Sequence, residues 1–311
     1  MSEILQNIKN EVKKVLIGQD ELLNSLLIGL ISNGHILVEG VPGLAKTTAI
    51  NALAKSLGLN FKRVQFTPDL LPSDIIGTEI YNIKTSEFSI KKGPAFTNLL
   101  LADEINRAPS KVQSALLEVM QEKQITIGDN SFKLDDPFLV MATQNPIEQE
   151  GAYRLPEAQL DRFMMKVMVD YNTFDEEIEI INRVVLNGFE DIKQVASRDE
   201  ILNLKQQLKL VHIDNEVKKY IIKLITSTRD KALKISEFLE FGASPRASID
   251  LLKASLAHAM LNGKDYVSPL DVMSVVKNVL RHRILLNYKA RAKGITPDNV
   301  IDDIISDIKA P

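Results

Sequence analysis

The chain has 311 residues, 45% of them hydrophobic, and a formal net charge of −3, enough for two packed domains and too acidic to offer nucleic acid an overall positive field. It contains no cysteine, which excludes disulfide scaffolds, thiolate metal sites and cysteine nucleophiles, and its four histidines, His35, His212, His258 and His282, show no ligand-like spacing. No apolar run is long enough to span a bilayer, and "MSEILQNIKNEVKK" carries charges where a signal peptide needs an apolar stretch, so the expectation is a cytoplasmic protein without membrane insertion.

Ile4 to Leu16 has apolar residues at helical spacing, the turn "IGQD" follows, and a second apolar helix is predicted over Glu21 to Ser32. "HILVE" then reads as a buried parallel strand ending at Gly40, and "FKRVQF", "TNLLLAD", "FLVMAT" and "FMMKVMV" repeat the pattern between helical stretches. Such alternation implies a parallel sheet covered on both faces. Gly77 to Pro94 and Gln124 to Leu134 each read as a hairpin inserted into that domain, where they either contact partners or are plain loop insertions. The alternation stops near "DYNTFDEE", and beyond it the spacing is helical only, with Ser268 as an N-cap and Pro269 at the first helical position of one helix. The expected division is an α/β domain over 1–172 and a smaller all-helical domain over 173–311.

"GVPGLAKT" follows the first strand and opens the helix "KTTAINALAKSLG". A loop so placed surrounds phosphates with backbone amides and the positive helix end, with Lys46 as point charge and the Thr47 hydroxyl as a ligand to magnesium. Glycine is usual just before the lysine, and here the residue is Ala45. A negative φ is expected there, where the chain enters the helix, while Gly40 and Gly43 make the turns that alanine cannot.

"LLLADEINRAP" carries Asp103 and Glu104 to the strand end beside that loop, where Asp103 can hold magnesium and Glu104 can take a proton from water, or either can cap a helix. "VMATQNP" ends a further strand at Asn145, which can orient the hydrolytic water or form an Asx turn before Pro146. Arg162 in "LPEAQLDRF" is expected at the domain edge facing out. Arg246 in "GASPRAS" opens a helix, where a cation gains nothing from the helix dipole. A surface salt bridge is the alternative for each arginine.

In order and spacing, "IGQDEL", "VEGVPGLAKT", "LLADEINRAPSKVQSALLEVMQE", "MATQNPIEQEGAYRLPEAQLDRF" and "GASPRAS" resemble the MoxR family of AAA+ ATPases over nearly the whole chain. Alanine before the loop lysine is usual in that family. The resemblance implies a P-loop NTPase fold of the AAA+ type with a helical lid, and ATP and Mg2+ as cofactors. It makes Gly40, Val41, Pro42, Gly43, Leu44, Ala45, Lys46, Thr47 and Thr48 the nucleotide-binding loop, with Lys46 and Thr47 its Walker A pair. Asp103 and Glu104 become the Walker B pair, with magnesium held by Thr47 and Asp103. Asn145 is implied as sensor 1, Arg162 as the arginine finger offered to a neighbouring subunit, and Arg246 as sensor 2. Ile17 and Gly18 would flank the adenine. The two hairpins would be the helix 2 insertion and the pre-sensor hairpin.

The family resemblance further implies an ATP-hydrolysing homo-oligomer, a hexameric ring, with chaperone-like roles toward protein clients beside von Willebrand factor A domain proteins. Two alternatives share the clade, a nucleic-acid motor and the ATPase subunit of a metal chelatase. The motor reading draws on the basic stretch from Lys277 to Lys293, although cations also favour helix C-termini.

Overall fold

The computed structural model describes residues 2–84, 86–146, 153–231 and 234–311. Helices α1 (Ser2–Val12) and α2 (Asp20–Ser32) come first, joined by a turn in which Gly18 and Gln19 take left-handed φ values of 65° and 57°. The chain then runs through β1 (Ile36–Glu39), α3 (Lys46–Ser56), β2 (Phe61–Gln65), α4 (Pro72–Ile76), β3 (Gly77–Asn82), β4 (Glu87–Lys92), β5 (Leu99–Asp103) and α5 (Ser110–Glu122). After these come β6 (Gln124–Ile127), β7 (Asn130–Lys133), β8 (Leu139–Gln144), α6 (Glu157–Leu160) and β9 (Met165–Met168).

Five of the strands form one parallel sheet in the order β2-β5-β8-β1-β9. Its inner strands β1, β5 and β8 are apolar along most of their length because both faces are buried, whereas β2 at the edge carries the exposed Lys62, Arg63 and Gln65. Ile36, Val38, Leu99, Leu101, Leu139 and Met141 face the core with α1, α2 and α3, whereas Leu37, Leu100, Ala102, Val140 and Ala142 face the core with α5. Both expected hairpins are present, β3 with β4 and β6 with β7. Tyr81 and Phe88 sit opposite each other on the first, with ring centroids 5.1 Å apart and both rings exposed, so they are not part of the core.

The second half is helical: α7 (Phe174–Ile181), which continues as a π-helix over Asn182–Asn187, then α8 (Arg198–Gln207) and α9 (Asn215–Ser227). Next come β10 (Leu239–Phe241), α10 (Pro245–Leu261), α11 (Pro269–Leu280), β11 (Leu285–Leu286), α12 (Tyr288–Ala292) and α13 (Pro297–Asp307). Ser268 caps α11 as expected, its backbone N–H donating to the Asp271 carboxylate at 2.9 Å with Pro269 at the first position. The short antiparallel pair β10–β11 is an addition that helical spacing does not reveal. Helix α10 packs on α2, so the core on the α1–α3 face of the sheet continues into the lid. No helix among the described residues is long and apolar enough to cross a membrane.

Candidate active site

Parallel strands bring their C-terminal ends to one edge, and the register sets what meets there. Glu39 pairs with Gln144, and Gln65 with Asp103. The loop after β1, the acids after β5 and the end of β8 therefore converge on one cavity of about 380 Å3. Pro42 to Thr48, Asp103, Glu104 and Asn145 line it, together with Arg63, Gln65, Thr143 and Gln144. This is the crevice at the carboxyl edge where open α/β sheets bind ligands.

Each glycine of the loop has its own reason. Gly43 has φ 89°, with open space where a Cβ would stand, so backbone conformation alone requires it. Gly40 is required by contact instead, since its Cβ would lie 2.6 Å from the carbonyl oxygen of Val169 beyond β9. That corrects the expectation that a turn demands it. Ala45 corrects a second expectation: its φ is 53° and ψ 19°, left-handed and not the negative value expected. Helical φ begins one residue later, at Lys46, and Ala45 carries the strain of a Cβ in the left-handed region.

Lys46 donates to the carbonyl oxygen of Gly40 and, at 3.1 Å, to that of Val41, which explains why those two residues matter although they do not line the cavity. Burial lowers the pKa of its ammonium, and the carboxylates of Asp103 and Glu104 counter that shift. Thr143, one strand over, joins the two acids. Its hydroxyl donates to Asp103 Oδ1 at 2.6 Å and accepts the Glu104 N–H at 2.8 Å. Arg63 NH2 and Nε donate to Asp103 Oδ2 at 2.7 and 3.1 Å.

Glu104 is left-handed as well, with φ 56°, and its Oε2 accepts from Gln65 at 2.7 Å and from Arg107 at 3.0 Å. It precedes a 3-10 turn over Ile105–Arg107 without a side-chain capping bond, so helix capping is not the task of this carboxylate. Arg63, Gln65 and Thr143 are absent from the sequence reading. Only the pairing of β2 and β8 with β5 brings them to the acids, and no local motif encodes that pairing.

The cavity fits a nucleotide with magnesium in its donor set. A phosphate-binding loop with a lysine lines it, and the Thr47 hydroxyl and Asp103 carboxylate in the same lining would offer hard oxygen ligands. Among the described residues no group of three or more His, Asp or Glu side chains is placed to hold a metal. An ion here would take its remaining ligands from phosphate and water.

The other expected residues lie outside this cavity. Ile17 and Gly18 border a separate hollow of about 200 Å3 with Asp20, Glu176, Glu179 and Arg183, and Asn172 Nδ2 donates to the Ile17 carbonyl at 3.1 Å. Arg162 lines a third hollow with Glu118 and Glu122 of α5. Arg246 reaches Asp161, its NH1 3.5 Å from the carbonyl and 4.0 Å from a carboxylate oxygen. Neither arginine lines the cavity that holds the phosphate loop, and Arg246 of α10 contacts Asp161, the residue before Arg162.

A family model described as ATPase family associated with various cellular activities (AAA) matches residues 35–165, and one described as AAA lid domain matches 231–304. Chaperone MoxR1 of Mycobacterium tuberculosis is 47% identical over 97% of this chain and 81% of its own length. YeaC of Bacillus subtilis is 42% identical over 96% of this chain and 92% of its own. A solved structure from Cytophaga hutchinsonii, described as an ATPase, superposes with a TM-score of 0.93 at 48% identity over 100% of this chain and 96% of that one. Together with the phosphate loop, the paired acids and the helical lid, these similarities establish that the chain belongs to the MoxR family of AAA+ ATPases.

Proposed function

We propose that this ATPase works in the cytoplasm as a hexameric, head-to-tail ring that couples ATP binding and hydrolysis to remodelling, maturation or assembly of protein clients. Proteins with von Willebrand factor A domains are the proposed partners. We place the dividing line between its sheet domain and lid at 172/173. The observation that carries the reading is the separation within one chain. Lys46, Thr47, Asp103, Glu104 and Asn145 share one cavity, while neither Arg162, which lines a hollow beside α5, nor Arg246, which contacts Asp161, lines it. In this reading the pocket takes its arginines from a neighbour, through a contact between unlike surfaces that forms a ring where its rotation closes. The relative named chaperone supports the protein-client side of the proposal.

When bound, Mg-ATP supplies the phosphoryl group and the countercharge on its oxygens. Loop amides and Lys46 would hold the phosphates, and Thr47 with Asp103 would hold the ion. Glu104 accepts the proton of the attacking water, which Asn145 orients. Arg162 and Arg246 of one subunit would place positive charge on the γ-phosphoryl group held by the next subunit as its bond to ADP breaks and water adds to it. The contact of Arg246 with Asp161, next to Arg162 in the chain, supports action on the same neighbouring pocket.

The basic stretch Lys277–Lys293 does not favour a nucleic-acid motor. Lys277 pairs with Asp302 at 2.7 Å, Arg281 with Asp298 at 3.0 Å, Arg283 with Asp250 at 2.6 Å and Lys289 with Glu237 at 2.6 Å, so these cations are engaged within the chain.

Pull-down with Glu104→Gln protein held in ATP tests the proposal. Nucleotide-dependent capture of a protein partner, together with an ATPase rate indifferent to single- or double-stranded DNA at physiological salt, is the expected result. Strong stimulation by DNA with no protein captured would overturn it.

A further inference from the structure

Arg63 stands in the wall of the nucleotide cavity beside Leu101, two residues before the Gln65–Asp103 pair and on the same face of β2 as Gln65. Its Nε and NH2 both donate to Asp103 Oδ2, at 3.1 and 2.7 Å, and NH2 also donates to Gln65 Oε1 at 3.0 Å. An arginine in a phosphate cavity ordinarily binds phosphate. This one commits those donors to the carboxylate that is also the proposed magnesium ligand.

The two oxygens of Asp103 are held differently. Oδ1 accepts from the Thr143 hydroxyl at 2.6 Å, and Thr143 is 1% exposed and also takes the Glu104 N–H, so that bond is built into the sheet. Oδ2 is held from the edge strand β2 by a side chain that is 50% exposed. A carboxylate oxygen has two lone-pair directions, and the two guanidinium N–H groups take up both on Oδ2. A magnesium ion at that oxygen needs one of them and repels the guanidinium charge. Of the two grips on the carboxylate, the half-exposed one at the sheet edge is the one that yields, because an exposed ion pair contributes little.

We infer that Arg63 competes with magnesium for Asp103, neutralising the carboxylate until Oδ2 takes the ion and then releasing it. The inference rests on the proposed magnesium site of Thr47 and Asp103. Arg63 thereby keeps an unneutralised carboxylate from facing the phosphates, and it sets how strongly nucleotide affinity depends on the metal.

The test is the affinity of a fluorescent, non-hydrolysable ATP analogue in excess Mg2+ and in EDTA, the ratio of which is the coupling between metal and nucleotide. Arg63→Met should bind the analogue more weakly than wild type in EDTA and at least as tightly in Mg2+, raising the ratio about tenfold. Its thermal unfolding midpoint should change little, since the ion pair it removes is half-exposed on the arginine side. Arg63→Lys keeps the charge but lacks the fork that places two N–H groups on one oxygen, and should give a smaller rise. In an Asp103→Asn background, Arg63→Met should no longer change the ratio.

A ratio that falls in Arg63→Met overturns the inference, because Arg63 then holds Asp103 in place for the ion. An unchanged ratio overturns it too, and with weaker binding in both solutions it makes Arg63 a phosphate ligand. Should Arg63→Met lose its unfolding transition, Arg63→Lys carries the test with the same sign required. A wild-type affinity that is equal in Mg2+ and EDTA removes the magnesium site itself, a failure distinct from any difference between the variants.

Discussion

Arg283, a residue of the lid, lies 2.9 Å through Nε from Asp161 Oδ1, an ion pair in which the N–H is not aligned as a hydrogen bond. Its side chain is 1% exposed, and NH2 donates to Asp250 at 2.6 Å and to the carbonyls of Asp161 and Phe163 at 3.1 and 2.8 Å. Those two carbonyls flank Arg162. The lid therefore grips the backbone on both sides of the residue proposed as the finger, and Ser244 adds hydroxyl contacts to the Asp161 carboxylate at 3.2 and 3.0 Å.

Removing that grip should affect stability and the finger separately. Arg283→Met leaves Asp250, whose pKa burial already raises, without its counter-charge, and should cost about 3–5 kcal/mol in urea unfolding. Arg283→Lys keeps the charge but cannot serve two carbonyls and two carboxylates from one ammonium. It should recover much of the stability and keep ATP affinity, yet lower the turnover rate about tenfold. Wild-type turnover in Arg283→Lys would mean that Arg162 does not depend on this contact.

Ala45 offers a test of backbone strain. At φ 53° its Cβ costs about 1–2 kcal/mol, whereas glycine at that position costs roughly 0.4–1 kcal/mol through the unfolded chain. Ala45→Gly should therefore be as stable as the parent or slightly more so, with ATP affinity within a few-fold. Ala45→Val places a β-branched residue where φ is positive and should lose ATP binding. Isothermal titration of both variants checks the pair, and tight binding by the valine variant would contradict the left-handed geometry.

His35 predicts a pH dependence. Its Nδ1 accepts the Val140 N–H at 3.0 Å, so the proton sits on Nε2, which donates to the Met120 carbonyl at 2.9 Å. Burial is the chief cause of its lowered pKa, from 6.5 to about 4. Between those values the unfolded chain takes up a proton that the folded chain refuses. The contribution to stability is therefore complete above pH 6.5 and is lost as pH falls, by about 3 kcal/mol at pH 4. Buried His282 acts in the same direction. Urea unfolding at pH 7, 6 and 5 should show this slope, flattened in His35→Gln, and an equal slope in the variant would remove His35 as its source.

Most of the nucleotide cavity was legible because its parts are local. A strand, a glycine-bearing loop and a helix start are contiguous from His35 to Ser56, and Asp103 and Glu104 end an apolar strand. What escaped is set by neighbours distant in sequence. Arg63 and Gln65 meet the acids only because β2 pairs with β5, and Thr143 only because β8 pairs with β5 on its other side. The sign of φ at Ala45 also escaped, because helix entry is decided within one residue. Arg246 shows a third reason: "GASPRAS" identifies the residue, but only packing of the lid against the α6–β9 turn reveals its contact with Asp161.

That placement makes the sharpest prediction, which concerns who shares a pocket with whom. Arg162→Ala should be nearly inactive alone, since an arginine finger supplies a rate factor of roughly 10³ to 10⁵, and Glu104→Gln should be inactive through loss of the base. In a head-to-tail ring a pocket whose own chain carries Arg162→Ala keeps Glu104 and can receive an intact Arg162 from a Glu104→Gln neighbour. Random co-assembly of equal amounts should make about a quarter of the interfaces complete, and activity should return. If Arg246 acts on the neighbouring pocket as well, Arg246→Ala should be rescued by Glu104→Gln in the same way and not by Arg162→Ala, because both arginines are delivered from the same face. Rescue of Arg246→Ala by Arg162→Ala would put Arg246 back on the pocket of its own chain. Inactive mixtures in which native mass spectrometry demonstrates mixed rings would remove the shared pocket, or show that one dead site silences its neighbours. Substituting Lys46→Ala for Glu104→Gln separates those two outcomes, because it offers the same arginines from a subunit that cannot hold ATP.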